Sequence, residues 1–166
     1  PTLCNHKALE PAGMCRICTV ELFDGRRSRF VTACNYPIWE GMEVKTDTSL
    51  VHEGRKLIVE LLLARCPEVP AVQQLAAQYG ITEIRFTKDT DTCILCGLCT
   101  RVCEKMGAKA ISMTGRGVDM KVDTPYHLNT DACFGCGACA FLCPTGHITL
   151  EKINREHTRN NMQLIP

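Results

Sequence analysis

Two cysteine runs constrain this chain more than any other feature. The first is Cys93-x2-Cys96-x2-Cys99-x3-Cys103, and the second is Cys133-x2-Cys136-x2-Cys139-x3-Cys143, followed by Pro144. Each has the spacing of a bacterial-type [4Fe–4S] ligand set. A cubane needs four thiolates directed at one small object. Three cysteines two residues apart can wrap a tight loop around three irons, and the fourth iron is reached from elsewhere. Where two such runs occur together, the fourth cysteine of each crosses to the other cluster. The spacing therefore assigns Cys93, Cys96, Cys99 and Cys143 to one [4Fe–4S] cluster, and Cys133, Cys136, Cys139 and Cys103 to the second. Structural zinc takes four ligands from two separated pairs, a poorer match to four cysteines within eleven residues. A secreted disulfide scaffold would normally be shorter and carry a secretory signal.

The remaining composition narrows the class. Thirteen cysteines among 166 residues reach the density of metal-rich chains. A net charge of +1, with acids and bases interspersed, gives no argument for nucleic acid or an anionic membrane. The longest apolar stretch, near Leu57–Ala64, is interrupted by Glu60 and is too short for membrane insertion. Thiolate ligands need reducing conditions during assembly, so the reading is cytoplasmic.

A different pattern opens the chain: Cys4, Cys15, Cys18 and Cys34. Plant-type [2Fe–2S] sites use C-x4-C-x2-C with a distant fourth cysteine. Here the central pair and the distant fourth are kept and the first loop is longer. Gly13 suits a loop whose backbone must approach inorganic sulfide. Apolar runs at 19–23 and 29–33 around Asp24-Gly25 predict a β-hairpin, and 41–44 begins another short strand.

These residues carry a resemblance. Cys15-Arg16-Ile17-Cys18-Thr19-Val20-Glu21, then Ala33-Cys34, then Glu40-Gly41-Met42-Glu43-Val44-Lys45-Thr46 are similar to the N-terminal [2Fe–2S] domain of one family. It comprises the large peripheral iron–sulfur subunit of complex I, the small diaphorase subunit of NAD-reducing hydrogenases, and the N-terminal part of [FeFe] hydrogenases and NAD-linked formate dehydrogenases. Cys93-Ile94-Leu95-Cys96-Gly97-Leu98-Cys99, Cys133-Phe134-Gly135-Cys136-Gly137-Ala138-Cys139 and Cys143-Pro144-Thr145-Gly146 extend the match. The resemblance implies a β-grasp fold around Cys4, Cys15, Cys18 and Cys34. It also implies a hairpin and helix before Pro1, so the start of the domain is expected to be missing.

Family members often hold a further [4Fe–4S] cluster after this domain through His-Pro-x-x-Cys-x-x-Cys and a later cysteine. In this chain the corresponding positions fall on Cys66, Pro70 and Gln73. No cluster is expected there, and Cys66 is read as a non-ligand cysteine acting as a small buried hydrophobe. Gly54–Ala64 reads as a helix with Leu57, Ile58, Leu61 and Leu62 on its packing face, stopped by Pro67. Pro70 starts a second helix, with Val72, Leu75, Ala76 and Tyr79 as its stripe and Gly80 as its end.

In the two-cubane half, short strands are expected at 110–114 and 120–122. A dry shell is expected from Ile94, Leu95, Leu98, Val102, Phe134, Ala138, Phe141, Leu142 and Ile148. Gly97, Gly135 and Gly137 leave room for amides near sulfide. His6 and His147 are read as solvated or capping residues.

The fold class is therefore α+β. A partial β-grasp [2Fe–2S] domain (1–50) is followed by a helical linker without a cluster (51–85). A bacterial-type 2[4Fe–4S] domain (86–153) and a polar tail (154–166) complete the chain. The cofactors are one [2Fe–2S] and two [4Fe–4S] clusters. No Gly-x-Gly-x-x-Gly, no P-loop and no nucleophile–base pairing is present, so no catalytic residue is assigned. Three clusters without a substrate site describe an electron wire. The resemblance implies a flavin-containing NAD(P)H-oxidising subunit at one end. At the other it implies a terminal catalytic subunit: a hydrogenase, a formate dehydrogenase or another low-potential reductase, with bifurcation a property of the partners. The alternatives are the N-terminal segment of a longer hydrogenase or formate dehydrogenase chain, and a free ferredoxin-like carrier. Free carriers are commonly acidic for steering, which +1 does not provide.

Overall fold

A computed structural model describes residues 1–128 and 130–151. The expected polar tail and the last two residues of 86–153 lie outside the described residues. The chain packs as two units, Pro1–Asn5 with Glu10–Cys96, and His6–Leu9 with Gly97 onward.

In the first unit, β1 (Thr19–Phe23) and β2 (Ser28–Thr32) form the expected hairpin, with Val20 opposite Val31 and Phe23 opposite Ser28. Gly25 takes φ 87° at the first central position of the turn, where a side chain would be strained. Asp24 precedes it, and its carboxylate accepts from the Arg26 and Arg27 amides at 3.1 Å. β3 (Glu43–Lys45) pairs antiparallel with β1, giving a mixed α and β unit whose sheet has the order β2-β1-β3. Strand alternation puts Val20, Leu22 and Val31 on one face, where Tyr36 and Met42 close over them.

The other face carries Thr19, Glu21 and Phe30, and α1 (Ser49–Arg65) lies on it. Thr48 donates to Glu21 Oε2 at 2.9 Å, and Gly54 faces the Phe30 ring. The helix starts five residues before the expected Gly54, because Thr48 accepts from the Val51 amide and caps the first turn. Its buried stripe also differs from the expected one. Val51, Arg55, Val59, Glu60 and Ala64 face inward, while Leu57 and Leu61 are exposed. The i, i+4, i+8 series from Val51 to Val59 outcompetes the leucine series because the sheet and α2 both lie on its side.

α2 (Pro70–Gln78) begins at Pro70, as expected; of the expected stripe Val72 and Ala76 are buried, and Leu75 and Tyr79 are partly buried. It ends in a Schellman motif: the Ile81 amide donates to the Ala76 carbonyl and the Gly80 amide to Ala77, with Gly80 at φ 61°. The helices at 51–85 thus pack into the first unit.

The second unit contains α3 (Leu98–Lys105), the antiparallel pair β4 (Ser112–Thr114) and β5 (Lys121–Asp123), and the one-turn α4 (Ala138–Phe141). The segment His6–Leu9 joins it through the Lys105 ammonium on the Ala8 carbonyl. The expected dry shell is only partly formed. Ile94 in the first unit and Leu98 and Val102 in the second are buried, but Phe134 and Phe141 are exposed, Phe141 by 85%. A single helical turn offers one face for packing, and Phe141 is on the other. Among the described residues, no helix is long and apolar enough to cross a membrane.

Candidate metal centres

Cys4 is brought beside Cys15, and Cys18 beside Cys34. Cys4 lies on the loop before Gly13, Cys15 and Cys18 flank the entry to β1, and Cys34 follows β2. The Ala33 amide donates to the Cys18 carbonyl at 3.1 Å, extending the hairpin so that Cys18 and Cys34 are adjacent. The Cys15 amide donates to Cys4 Sγ at 3.4 Å. Cys4 and Cys15 are buried, with 2% and 7% of their surfaces exposed.

Burial raises the Cys15 thiol above its ordinary range, and the neighbouring Cys4 raises it further. Burial likewise raises Cys34, with Cys18 and then Cys4 adding to the effect. Soft donors such as Cys15 and Cys34, held protonated by burial and by neighbouring sulfur, fit a cationic iron core, which inverts that preference and takes thiolates outright. The backbone is shaped for the same purpose. Gly13 at φ 64° aims its amide at the Cys34 sulfur, and the amides of Ile17 and Leu3 point to Cys15. Arg16, in the loop between Cys15 and Cys18, takes φ 61° and donates from its guanidinium to the Gly13 carbonyl and to Thr32 Oγ1, each at 3.4 Å.

The two later cysteine runs show an internal repeat. Leu95 and Gly135 take φ 53° and 71°, and Gly97 and Gly137 take 69° and 72°. Gly97 and Gly137 each precede the first residue of a helix, α3 and α4. Alternating left-handed residues turn successive amides inward, the arrangement that cradles anionic sulfide. Leu95 adopts this conformation without the freedom of glycine, so the loop over-determines it.

Burial raises the Cys139 thiol, and the nearby Cys133 and Cys136 add to it. Cys143 has a different setting. Burial raises it, but the amides of Ile148, Thr145 and His147 and the Thr145 hydroxyl outweigh burial and leave it lowered. Cys103 ends the matching stretch on α3 and accepts from the Ala110 amide at 3.3 Å. In the first run Cys96 and Cys99 are buried and Cys93 is half-buried. Among the described residues, no three His, Cys, Asp or Glu side chains lie within the span of one metal ion.

Cys66 is fully buried at the end of α1, and burial pushes its thiol up to about 12. His6 accepts from the Ala8 amide through Nδ1 at 3.2 Å, a local bond within a turn. Sequence reasoning missed Arg55, Arg65 and Asp91. Arg55 donates from Nε to the Thr19 carbonyl, one residue beyond Cys18, at 2.9 Å. Arg65 donates from Nε to the Cys93 carbonyl at 2.9 Å and pairs with Asp91 at 2.6 Å. Asp91 stands two residues before Cys93, but Asp131 stands equally before Cys133, so spacing alone did not distinguish it.

Comparison with known proteins identifies iron–sulfur domains in this chain. Residues 1–49 match the family described as a 2Fe-2S iron-sulfur cluster binding domain, and residues 87–150 match a 4Fe-4S dicluster domain. The chain resembles the iron–sulfur region of complex I subunits and of NAD-reducing hydrogenase. It is 30% identical to the mitochondrial NADH-ubiquinone oxidoreductase 78 kDa subunit of Neurospora crassa, over 90% of this chain and 23% of that protein. It is 34% identical to the NADPH-Fe(3+) oxidoreductase subunit alpha of Geobacter sulfurreducens, over 88% of this chain and 20% of that one. A solved structure, that of an NAD+-reducing [NiFe]-hydrogenase in the H2-reduced state, superposes with a TM-score of 0.65 at 28% identity. The match covers 75% of this chain and 62% of that chain. The chain thus spans about a fifth to a quarter of the length of these curated relatives.

Proposed function

We propose that this chain relays single electrons through three clusters within a larger oxidoreductase. Cys4, Cys15, Cys18 and Cys34 would hold a [2Fe–2S] cluster in a partial β-grasp. Cys93, Cys96, Cys99 and Cys143 would hold one [4Fe–4S] cluster, and Cys133, Cys136, Cys139 and Cys103 the other. The bound clusters would supply reversible one-electron chemistry. The polypeptide's part is to fix their positions, aim amides at sulfur and keep water away, which together set the potentials. The boundaries at residues 50, 85 and 153 belong to this proposal, as does a cytoplasmic location.

The observation that carries the reading is the double attachment of α1. Arg55 bonds the residue after Cys18, and Arg65 bonds Cys93. Ten helical residues separate these anchors, about 15 Å of rise. One rigid element thus sets the spacing between the first cysteine set and the start of the next, as an electron relay requires. The relatives' printed names include NADH and NADPH oxidoreductases and an NAD+-reducing hydrogenase. They support an NAD(P)H-linked complex, in which we place a flavin-containing NAD(P)H-oxidising partner and a terminal reductase or dehydrogenase subunit.

Cys103→Ala tests the ligand assignment. It should remove or convert the cluster shared with Cys133, Cys136 and Cys139 and leave the [2Fe–2S] EPR signal intact. Loss of only the cluster shared with Cys93, Cys96 and Cys99 would contradict it.

A further inference from the structure

The segment 85–93 is strapped onto one side of α1. Glu60 receives Arg85 through its guanidinium and its backbone amide, the Ala64 carbonyl accepts from the Asp89 amide at 2.7 Å, and Arg65 reaches the end of the strap. There the bonds converge on a single residue. Arg65 Nε donates to the Cys93 carbonyl at 2.9 Å, and Arg65 Nη2 donates to Asp91 Oδ2 at 2.6 Å. The other Asp91 oxygen accepts from the amides of Thr92 at 2.7 Å and Cys93 at 2.9 Å. The amide and the carbonyl of Cys93 are therefore both tied to one ion pair. Its side chains are only 20% and 24% exposed, which limits screening by salt. Charge-assisted bonds of this kind are shorter and stronger than neutral ones.

We infer that Arg65 and Asp91 are positioning residues that fix Cys93 and bias, with opposite sign, the potential of the cluster it holds. The inference rests on the reading of Cys93 as a ligand. Reduction adds one electron and makes the cluster more negative. A guanidinium held nearby favours the reduced form and raises the potential, and a carboxylate lowers it. A loop that merely needed anchoring would make no such distinction of sign.

The test is an EPR-monitored redox titration of the full chain, with iron counted, for wild type, Arg65→Lys, Arg65→Gln and Asp91→Asn. Asparagine keeps Oδ1 as acceptor for Thr92 and Cys93 and removes the charge. The expected result is a shift of one [4Fe–4S] midpoint to lower potential in Arg65→Gln and to higher potential in Asp91→Asn. Arg65→Lys should return most of the way to wild type, and the [2Fe–2S] midpoint should stay fixed as an internal reference. If Arg65→Gln loses iron that Arg65→Lys retains, the positioning role is supported and the upward shift in Asp91→Asn carries the electrostatic one. Shifts of the same sign in both variants, equal shifts in every cluster, or none would overturn the inference while leaving the three-cluster reading in place. A wild-type chain without any [4Fe–4S] signal would overturn both.

Discussion

The buried guanidinium of Arg55 donates from Nε to the Thr19 carbonyl at 2.9 Å, joining α1 to the strand that leaves Cys18. Arg55→Met keeps much of the volume and removes the donor, stranding a buried carbonyl. The expected cost is about 1–3 kcal/mol of stability. Urea unfolding should show it, together with faster loss of the [2Fe–2S] visible absorption than in wild type.

Gly13→Ala should be worse than Gly41→Ala. Both glycines have positive φ, 64° and 78°, so both substitutions carry a backbone cost of about 1–2 kcal/mol. A β-carbon at 41 meets open space, whereas one at 13 comes within 2.9 Å of Asn35 Nδ2 and 3.1 Å of Thr32 Oγ1. Thr32 and Asn35 bracket Cys34 in sequence and bond each other at 2.6 Å. The excess destabilisation of Gly13→Ala, and a changed [2Fe–2S] EPR line shape absent from Gly41→Ala, would report that contact.

Glu60 supplies a pH dependence. Its hydrogen bonds to the Arg85 side chain, then to the Arg85 amide, hold the carboxyl down to about 2, below its ordinary value of 4.5. A depressed carboxyl contributes stability above its unfolded value, and that contribution is lost as pH falls toward the folded one. The stability gap between wild type and Glu60→Gln should therefore be full above about pH 5 and close toward pH 2. Urea midpoints followed by far-ultraviolet circular dichroism at stepped pH measure it. A gap that widens in acid would contradict the assignment.

Cys66 has the opposite linkage. With burial pushing its thiol up to about 12, the folded chain keeps the proton that the unfolded chain releases above its ordinary value of 9.0. Stability should fall as pH rises through that window, and Cys66→Ala should soften the fall. The same variant should leave iron content unchanged, since no cluster is assigned to 51–85.

The local signals in the sequence located the hairpin, α2 and the cysteine loops. Asp24-Gly25, Pro70 and Gly80 signal a turn, a helix start and a helix end, and the structure uses each in that way. Spacing singled out the four N-terminal cysteines; the structure sets Cys4 beside Cys15 and Cys18 beside Cys34, and their role as ligands belongs to the proposal. The start of α1 was not read from the sequence, which placed it at Gly54; Thr48 caps it five residues earlier by accepting from the Val51 amide. Its packing face was not legible. Leu57 and Leu61 are the more hydrophobic stripe by composition, yet the valines and Arg55 face inward because tertiary neighbours lie on their side. Arg65 and Asp91 were hidden for a related reason. An ion pair between residues 26 apart leaves no periodic trace in the chain.

Three clusters, and none between residues 51 and 85, are proposed for this chain. Iron and acid-labile sulfide per chain, measured on anaerobically purified protein with EPR of the dithionite-reduced state, test that proposal most directly. About ten irons are expected, from one [2Fe–2S] and two [4Fe–4S] sets. About fourteen would place a further cubane near Cys66 and contradict the account, and zinc in place of iron would overturn it entirely.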